Sequence, residues 1–256
     1  MRNSRYLSIG QASIYLEVIN ESRLSDAIPL VLLHEGLGSS AQWNDFPELL
    51  ATQLDVTVIL YDRLGYGKSS SLENDNELKM SRESDFYLPE ILKQLDVQKV
   101  DVFGHSDGAT IALLFASSNS QQCRKVIAEA PHVLIEETTV IGVQGAIWAY
   151  QHRGLKDHLN IYHGFRTESM FWRWANFWKQ ESKKRWDMLG ELGKINSSVL
   201  YIQGDKDKYG TLKQGEIIQQ YIQGEYSKLI LKGCGHIPHQ IRKDDVLEAI
   251  VNFLRA

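Results

Sequence analysis

Gly104-His105-Ser106-Asp107-Gly108 is a G-x-S-x-G that stands directly after the apolar run KVDVFG and directly before the small and apolar run ATIALLFASS. A serine hydroxyl is a weak nucleophile and must be presented clear of competing groups. A sharp strand-to-helix turn does this, because flanking glycines let the backbone pass closely and the amide at the helix start faces the place where an oxyanion would form. In another setting the same pentapeptide is only a tight turn, so the flanking strand and helix carry the reading. Ser106 is the candidate nucleophile.

Such a serine needs a base, and the base needs a carboxylate to orient it. Gly204-Asp205-Lys206-Asp207 follows the run SVLYIQG, and Gly235-His236-Ile237-Pro238 follows the run SKLILKG. The order serine, acid, histidine is one of three known for this triad. His34, His105 and His239 compete for the role of base, but only His236 has the G-H-x-P setting. Asp205 and Asp207 both follow the strand, and spacing leaves the choice open.

These residues require strand ends to hold them. LVLLH (30–34), TVILYD (57–62), KVDVFG (99–104), KVIAEA (125–130), SVLYIQG (198–204) and SKLILKG (227–233) are short continuous apolar runs, most of them followed by turn residues and a helical pattern. That alternation predicts an α/β fold with a mostly parallel sheet covered by helices on both faces. The opening MRNSRYLSIGQASIYLEV alternates apolar and polar residues like a pair of short strands and lacks the apolar stretch of a signal peptide. From Pro131 to about Gly193 the alternation stops. Five of the six tryptophans, Trp148, Trp172, Trp174, Trp178 and Trp186, lie there. Phe171, Trp174 and Trp178 share one helical face, which either packs an insertion or also lines a pocket.

H-x-G-x-G-S after the third strand, D-R-x-G-x-G-x-S at 62–69, the GHSDG turn, GDKD and GCGHIPH together resemble the α/β-hydrolase superfamily over nearly the whole chain. The resemblance is to the subgroup with a helical cap after the sixth strand, in the manner of esterases and meta-cleavage product hydrolases. It implies a core of residues 1–132 and 191–256 with a cap at 133–190. It implies the triad Ser106, Asp207 and His236, since the family acid sits three residues after the turn glycine; Asp205 becomes a solvated turn residue. It implies an oxyanion hole made by the amides of Asp107 and Gly36, with Leu37 as the alternative donor. His105 would pack beneath the nucleophile, and His34 would brace the oxyanion loop. Relatives usually carry Gly where Glu35 stands, so Glu35 either points away or contacts a substrate cation. The expected substrate contacts are Glu35, Leu37, Trp148, Trp174 and Trp178. The Asp107 carboxylate either caps the first turn of its helix or faces the pocket, where it would attract an amine-bearing acyl group.

Other chemistries fit less well. Gly36-x-Gly38-x-x-Ala41 with Asp62 some twenty residues on matches a dinucleotide fingerprint, but Glu35 would set an anion beside the pyrophosphate and three motifs would stay unexplained. Gly67-Lys68-Ser69 ends like a P-loop whose first glycine would be residue 62, an aspartate. His152, His158 and His163 lack the i, i+4 spacing of a helical metal site, and Cys123 and Cys234 lack paired spacing. Neither metal nor cofactor is expected. A net charge of -4 and a pI of about 6.1 supply no field for nucleic acid or anionic membrane, and a cytoplasmic setting is expected. The expected partner is a small acyl substrate, with oligomeric state open. The expected activity is hydrolysis of an ester, thioester or related acyl bond; carbon–carbon bond hydrolysis and a small-molecule receptor on the same scaffold are the alternatives.

Overall fold

A computed structural model describes residues 1–71, 80–184 and 186–256. Eight strands form one sheet: β1 (Arg2–Ile9), β2 (Ala12–Ile19), β3 (Leu30–Leu33), β4 (Val58–Tyr61), β5 (Val100–His105), β6 (Cys123–Glu129), β7 (Ser198–Gly204) and β8 (Tyr226–Leu231), in the order β1-β2-β4-β3-β5-β6-β7-β8. β1 pairs antiparallel with β2 and β2 with β4. Every further pairing is parallel. α1 (Phe46–Leu54) follows β3. α2 (Met80–Arg82) runs through a π-helical stretch, Glu83–Tyr87, into α3 (Leu88–Gln94), and α4 (Asp107–Ser118) follows β5. Between β6 and β7 lie α5 (Glu137–His152), α6 (Leu155–His163), α7 (Thr167–Lys184) and α8 (Leu189–Leu192). α9 (Lys213–Tyr221) links β7 to β8, and α10 (Pro238–Ile241) and α11 (Lys243–Arg255) close the chain.

The central strands β3 and β4 are apolar and buried throughout because both sheet faces are covered there. Along β3, Val31 and Leu33 join a core with Leu88, Ile91, Ile111 and Phe115, while Leu30 and Leu32 join another with Leu50, Val246, Ile250 and Leu254. Each such side chain contributes about 1.5–3 kcal/mol when fully buried. The chain passes outward from β3 to β4 and returns on the other side of β3 to β5. The loops after β3 and β5 therefore diverge from adjacent strands and open a crevice at their carboxyl ends, where ligands of such sheets bind.

The helices between β6 and β7 lie over that crevice. A bridge between Leu134 and Asp187 draws the two ends of this insertion together. α7 buries Met170, Phe171, Trp174, Ala175 and Trp178, and Tyr150 of α5 stacks on Phe171 with ring centroids 3.8 Å apart. No described helix is long and apolar enough to cross a membrane.

Candidate active site

Ser106 sits between β5 and α4 at φ 54° and ψ -117°, a conformation that costs a non-glycine residue about 1–3 kcal/mol. Its surroundings hold it there. Ser106 N–H donates to the Glu129 carbonyl at 2.8 Å. A Cβ on Gly104 would run into the Gly108 carbonyl, and one on Gly108 into the Leu33 carbonyl. The two glycines thus let α4 start hard against β3 and β5.

His236 Nε2 lies 2.9 Å from Ser106 Oγ and its Nδ1 lies 2.7 Å from Asp207 Oδ2. The ring can accept the serine proton at Nε2 while Nδ1–H stays on the carboxylate. Asp207 also accepts from Gln203 Nε2 at 2.6 Å and from the Tyr209 amide at 2.8 Å. Burial opposes ionisation of Asp207, but the hydrogen bond and charge of His236 outweigh it and hold the carboxyl below its ordinary range. Asp205 is exposed and accepts the Gly233 amide at 2.6 Å, a turn contact away from the ring. The competing histidines have other partners. His34 donates from Nδ1 to the Glu35 carbonyl at 2.8 Å and accepts the Arg63 amide at Nε2, 3.1 Å, while Arg63 itself donates to the Glu35 carbonyl at 2.7 Å. The loop after β3 is therefore braced from beneath.

The amides of Gly36, Leu37 and Asp107 donate to no acceptor among the described residues, and all three residues line a cavity of about 250 Å³ that also contains Ser106 and His236. Free amides beside a nucleophile are what an oxyanion needs. Gly38, the second glycine of the fingerprint-like loop, has the Glu35 carboxylate folded against it, and a short 3-10 helix, Ser40–Trp43, follows. Asp62 accepts the amides of Ser40 and Lys68, each at 2.7 Å, and so ties this loop to the P-loop-like turn.

Glu35 does not point away: it lines the cavity and places Oε2 3.7 Å from His105 Nδ1. Leu37, Trp174 and Trp178 line the cavity too. Trp148 does not. It lies on the outer side of α5, 50% exposed, against His152 and under the Arg153 guanidinium, because the α5 face turned inward carries Thr139, Val143 and Ala146. The expectation of a substrate contact at Trp148 is corrected accordingly. The Asp107 carboxylate makes no helix cap; Oδ2 is buried over Gly36 and makes no hydrogen bond among the described residues.

His132, Thr139 and Tyr209 also line the cavity and were not singled out in the sequence, and His158, considered there only as a metal ligand, lines it with them. His132 follows β6 at the sheet's carboxyl edge, a position that the topology marks. It donates to the Tyr209 carbonyl at 3.1 Å, and burial, with His236 nearby, pushes its pKa down to about 4. Tyr209 lies on the His236 ring, centroids 4.6 Å apart.

Beneath Ser106, ring nitrogens of His105 and His239 and a Glu129 oxygen lie within 4.8 Å of one another, close enough to hold a metal ion. Hydrogen bonds already engage them: His239 Nδ1 donates to Glu129 at 2.7 Å, and His105 Nε2 to the His236 carbonyl at 2.8 Å. Burial alone would lower the His105 pKa, but Glu35 and Glu129 overcome it and raise it to about 9.

The model of the alpha/beta hydrolase fold family matches residues 28–189. The chain belongs to the α/β-hydrolase family. A proline iminopeptidase of Lactobacillus delbrueckii subsp. lactis is 30% identical over 112 residues, 43% of this chain and 37% of that protein, so the match spans little more than a third of the relative. The structure is similar to an enol-lactonase from Burkholderia xenovorans, with a TM-score of 0.78 and 17% identity over 98% of this chain and 100% of that one. It is also similar to 2-hydroxy-6-oxo-6-phenylhexa-2,4-dienoate hydrolase from Rhodococcus, with a TM-score of 0.78 and 14% identity over 100% and 99%. At these identities the likeness is one of fold.

Proposed function

We propose that the protein is a serine hydrolase that cleaves an ester, thioester or related acyl bond of a small molecule through an acyl-enzyme. The observation that carries this reading is the hydrogen-bonded chain Ser106, His236, Asp207 at the floor of a small cavity roofed by Trp174 and Trp178. Ser106 Oγ attacks the carbonyl carbon and its proton passes to His236 Nε2. The oxyanion rests on the amides of Asp107 and Gly36 until the carbonyl reforms and the leaving group departs with the proton from Nε2. Water then attacks the acyl carbon, giving one proton to Nε2, and collapse returns that proton to Ser106 as the acid leaves. Asp207 stays ionised throughout and fixes the imidazole tautomer. The name of the sequence relative, a peptidase, supports an acyl bond as the target.

A series of short p-nitrophenyl esters tests the proposal. Steady turnover by the wild type that is lost in Ser106→Ala is the expected result. A few slow cycles would overturn it and leave a receptor on a hydrolase scaffold, whereas steady turnover indifferent to Ser106→Ala would overturn the serine mechanism.

A further inference from the structure

The cavity carries more negative charge than hydrolysis of a neutral ester requires. Its lining includes two acids, Glu35 and Asp107, and, among the described residues, no lysine or arginine. The two acids differ. Glu35 faces the His105 ring, which is itself buried and held between Glu35 and Glu129. Asp107 is 1% exposed, and among the described residues its Oδ2 makes no hydrogen bond, the Trp178 indole being the neutral polar group that acts on it. The neighbouring cation, Arg63, donates to the Glu35 carbonyl and lies under the Tyr66 ring without bonding Asp107. A buried carboxylate oxygen left in this state is costly unless a charged partner arrives.

Its position makes the cost sharper. Asp107 Oδ2 comes within 2.6 Å of where a Cβ of Gly36 would stand, so the carboxylate borders the amides that would hold the oxyanion. A second negative charge there opposes the transition state unless something neutralises it. Burial pushes this carboxyl up to about 6, against the opposing effects of Arg63 and Trp178, so a cation placed beside it would favour its ionised form.

We propose that Asp107 is the residue that selects the substrate's acyl group, by pairing with an ammonium on the carbon next to the carbonyl, so that the protein acts on α-aminoacyl esters. An α-amine stands two bonds from the carbonyl carbon, as Asp107 stands one residue from Ser106. The indoles of Trp174 and Trp178 supply faces on which a cation also rests favourably. The proposal rests on the hydrolase reading for its chemistry, but the ammonium site can be read without turnover.

The experiment compares valine benzyl ester with its des-amino isostere, 3-methylbutanoic acid benzyl ester. In the wild type, kcat/KM for the amino ester should exceed that for the isostere by at least about tenfold, and the ratio should fall toward one in Asp107→Asn and in Asp107→Ser. Using the ratio within each variant removes any general loss of activity or folded fraction. In parallel, Ser106→Ala should bind the amino ester at least about tenfold more tightly than the isostere, read by tryptophan emission, and Ser106→Ala with Asp107→Asn should lose that preference. Turnover of both esters at equal efficiency, or a preference that survives both Asp107 variants, would overturn the proposal and leave the hydrolase reading intact. Ammonium-selective binding with no turnover of either ester would instead sink the hydrolase reading and uphold the site.

Discussion

His163 of α6 donates from Nε2 to the Leu37 carbonyl at 3.0 Å, while its Nδ1 accepts the Gly67 amide at 3.0 Å. One imidazole thus joins the helical insertion to the loop after β3 and to the turn at Gly67, and Arg166 adds a bond to the Gly67 carbonyl. Burial lowers the pKa of His163, which suits a ring that must accept at Nδ1. His163→Leu removes both bonds. It should lower kcat/KM by about tenfold and speed proteolysis within α5–α7, with His163→Gln restoring part of both. Unchanged activity and cleavage in His163→Leu would show that the helices are held elsewhere.

Ser106, His236 and Asp207 should act as a unit. Ser106→Ala and His236→Ala should each lower kcat by at least about a thousandfold, and the double variant should be little worse than either. Asp207→Asn should cost far more activity than Asp205→Asn, because only Asp207 touches the imidazole. Kinetics on a p-nitrophenyl ester check both rankings, and a larger loss at Asp205 would reassign the acid.

The strands and the positions of Ser106 and His236 at strand ends were legible in the sequence because each rests on contiguous residues: an apolar run, two glycines around Ser106, a turn glycine before His236. Choosing Asp207 over Asp205 needed the family offset, since both follow β7 and only tertiary packing brings one to His236. Trp148 was misread because an aromatic-rich segment does not say which side of α5 is covered, and the covered side is set by partners far along the chain. His132, Thr139 and Tyr209 belong to segments that meet only when β6 and β7 pair. The direction of the Asp107 carboxylate depends on Gly36 and on the indoles above it, none of them local.

The His105 pair predicts a pH dependence of stability. The folded-state pKa of His105 is raised to about 9, above its ordinary 6.5, so its stabilisation is fully present below about 6.5 and lost as pH rises through 9. Glu35 stays ionised throughout this window, because His105, 3.7 Å away, outweighs burial and lowers its pKa to about 2. Urea unfolding should therefore show wild-type stability declining between pH 6.5 and 9, and His105→Gln should be less stable at pH 6.5 but nearly flat over that range. A slope that persists in His105→Gln would remove His105 as its cause. His132 should give the opposite sign: its pKa is lowered to about 4, so its contribution is present above 6.5 and lost as pH falls, and His132→Gln should flatten that part of the acid limb.

Gly36 in the cavity wall and Gly145 on the outer side of α5 should respond to alanine in opposite ways. A Cβ on Gly36 would stand 2.5 Å from Trp174 Cδ1 and 2.6 Å from Asp107 Oδ2, closer than such atoms can approach, so the indole or the loop must shift. Overpacking of this kind costs about 1–3 kcal/mol. The loop that would move carries the Gly36 amide proposed to hold the oxyanion, and losing such a donor costs about a hundredfold or more in kcat. Gly36→Ala should therefore lose activity out of proportion to its fall in melting temperature. Gly145, on the exposed side of α5, would meet nothing within 4 Å. Gly145→Ala should keep kcat/KM and gain up to about 1 kcal/mol, since alanine restricts the unfolded chain and favours the helix. Thermal unfolding and ester kinetics on the two variants separate the cases, and a fully active Gly36→Ala would mean that the loop after β3 takes no part in holding the oxyanion.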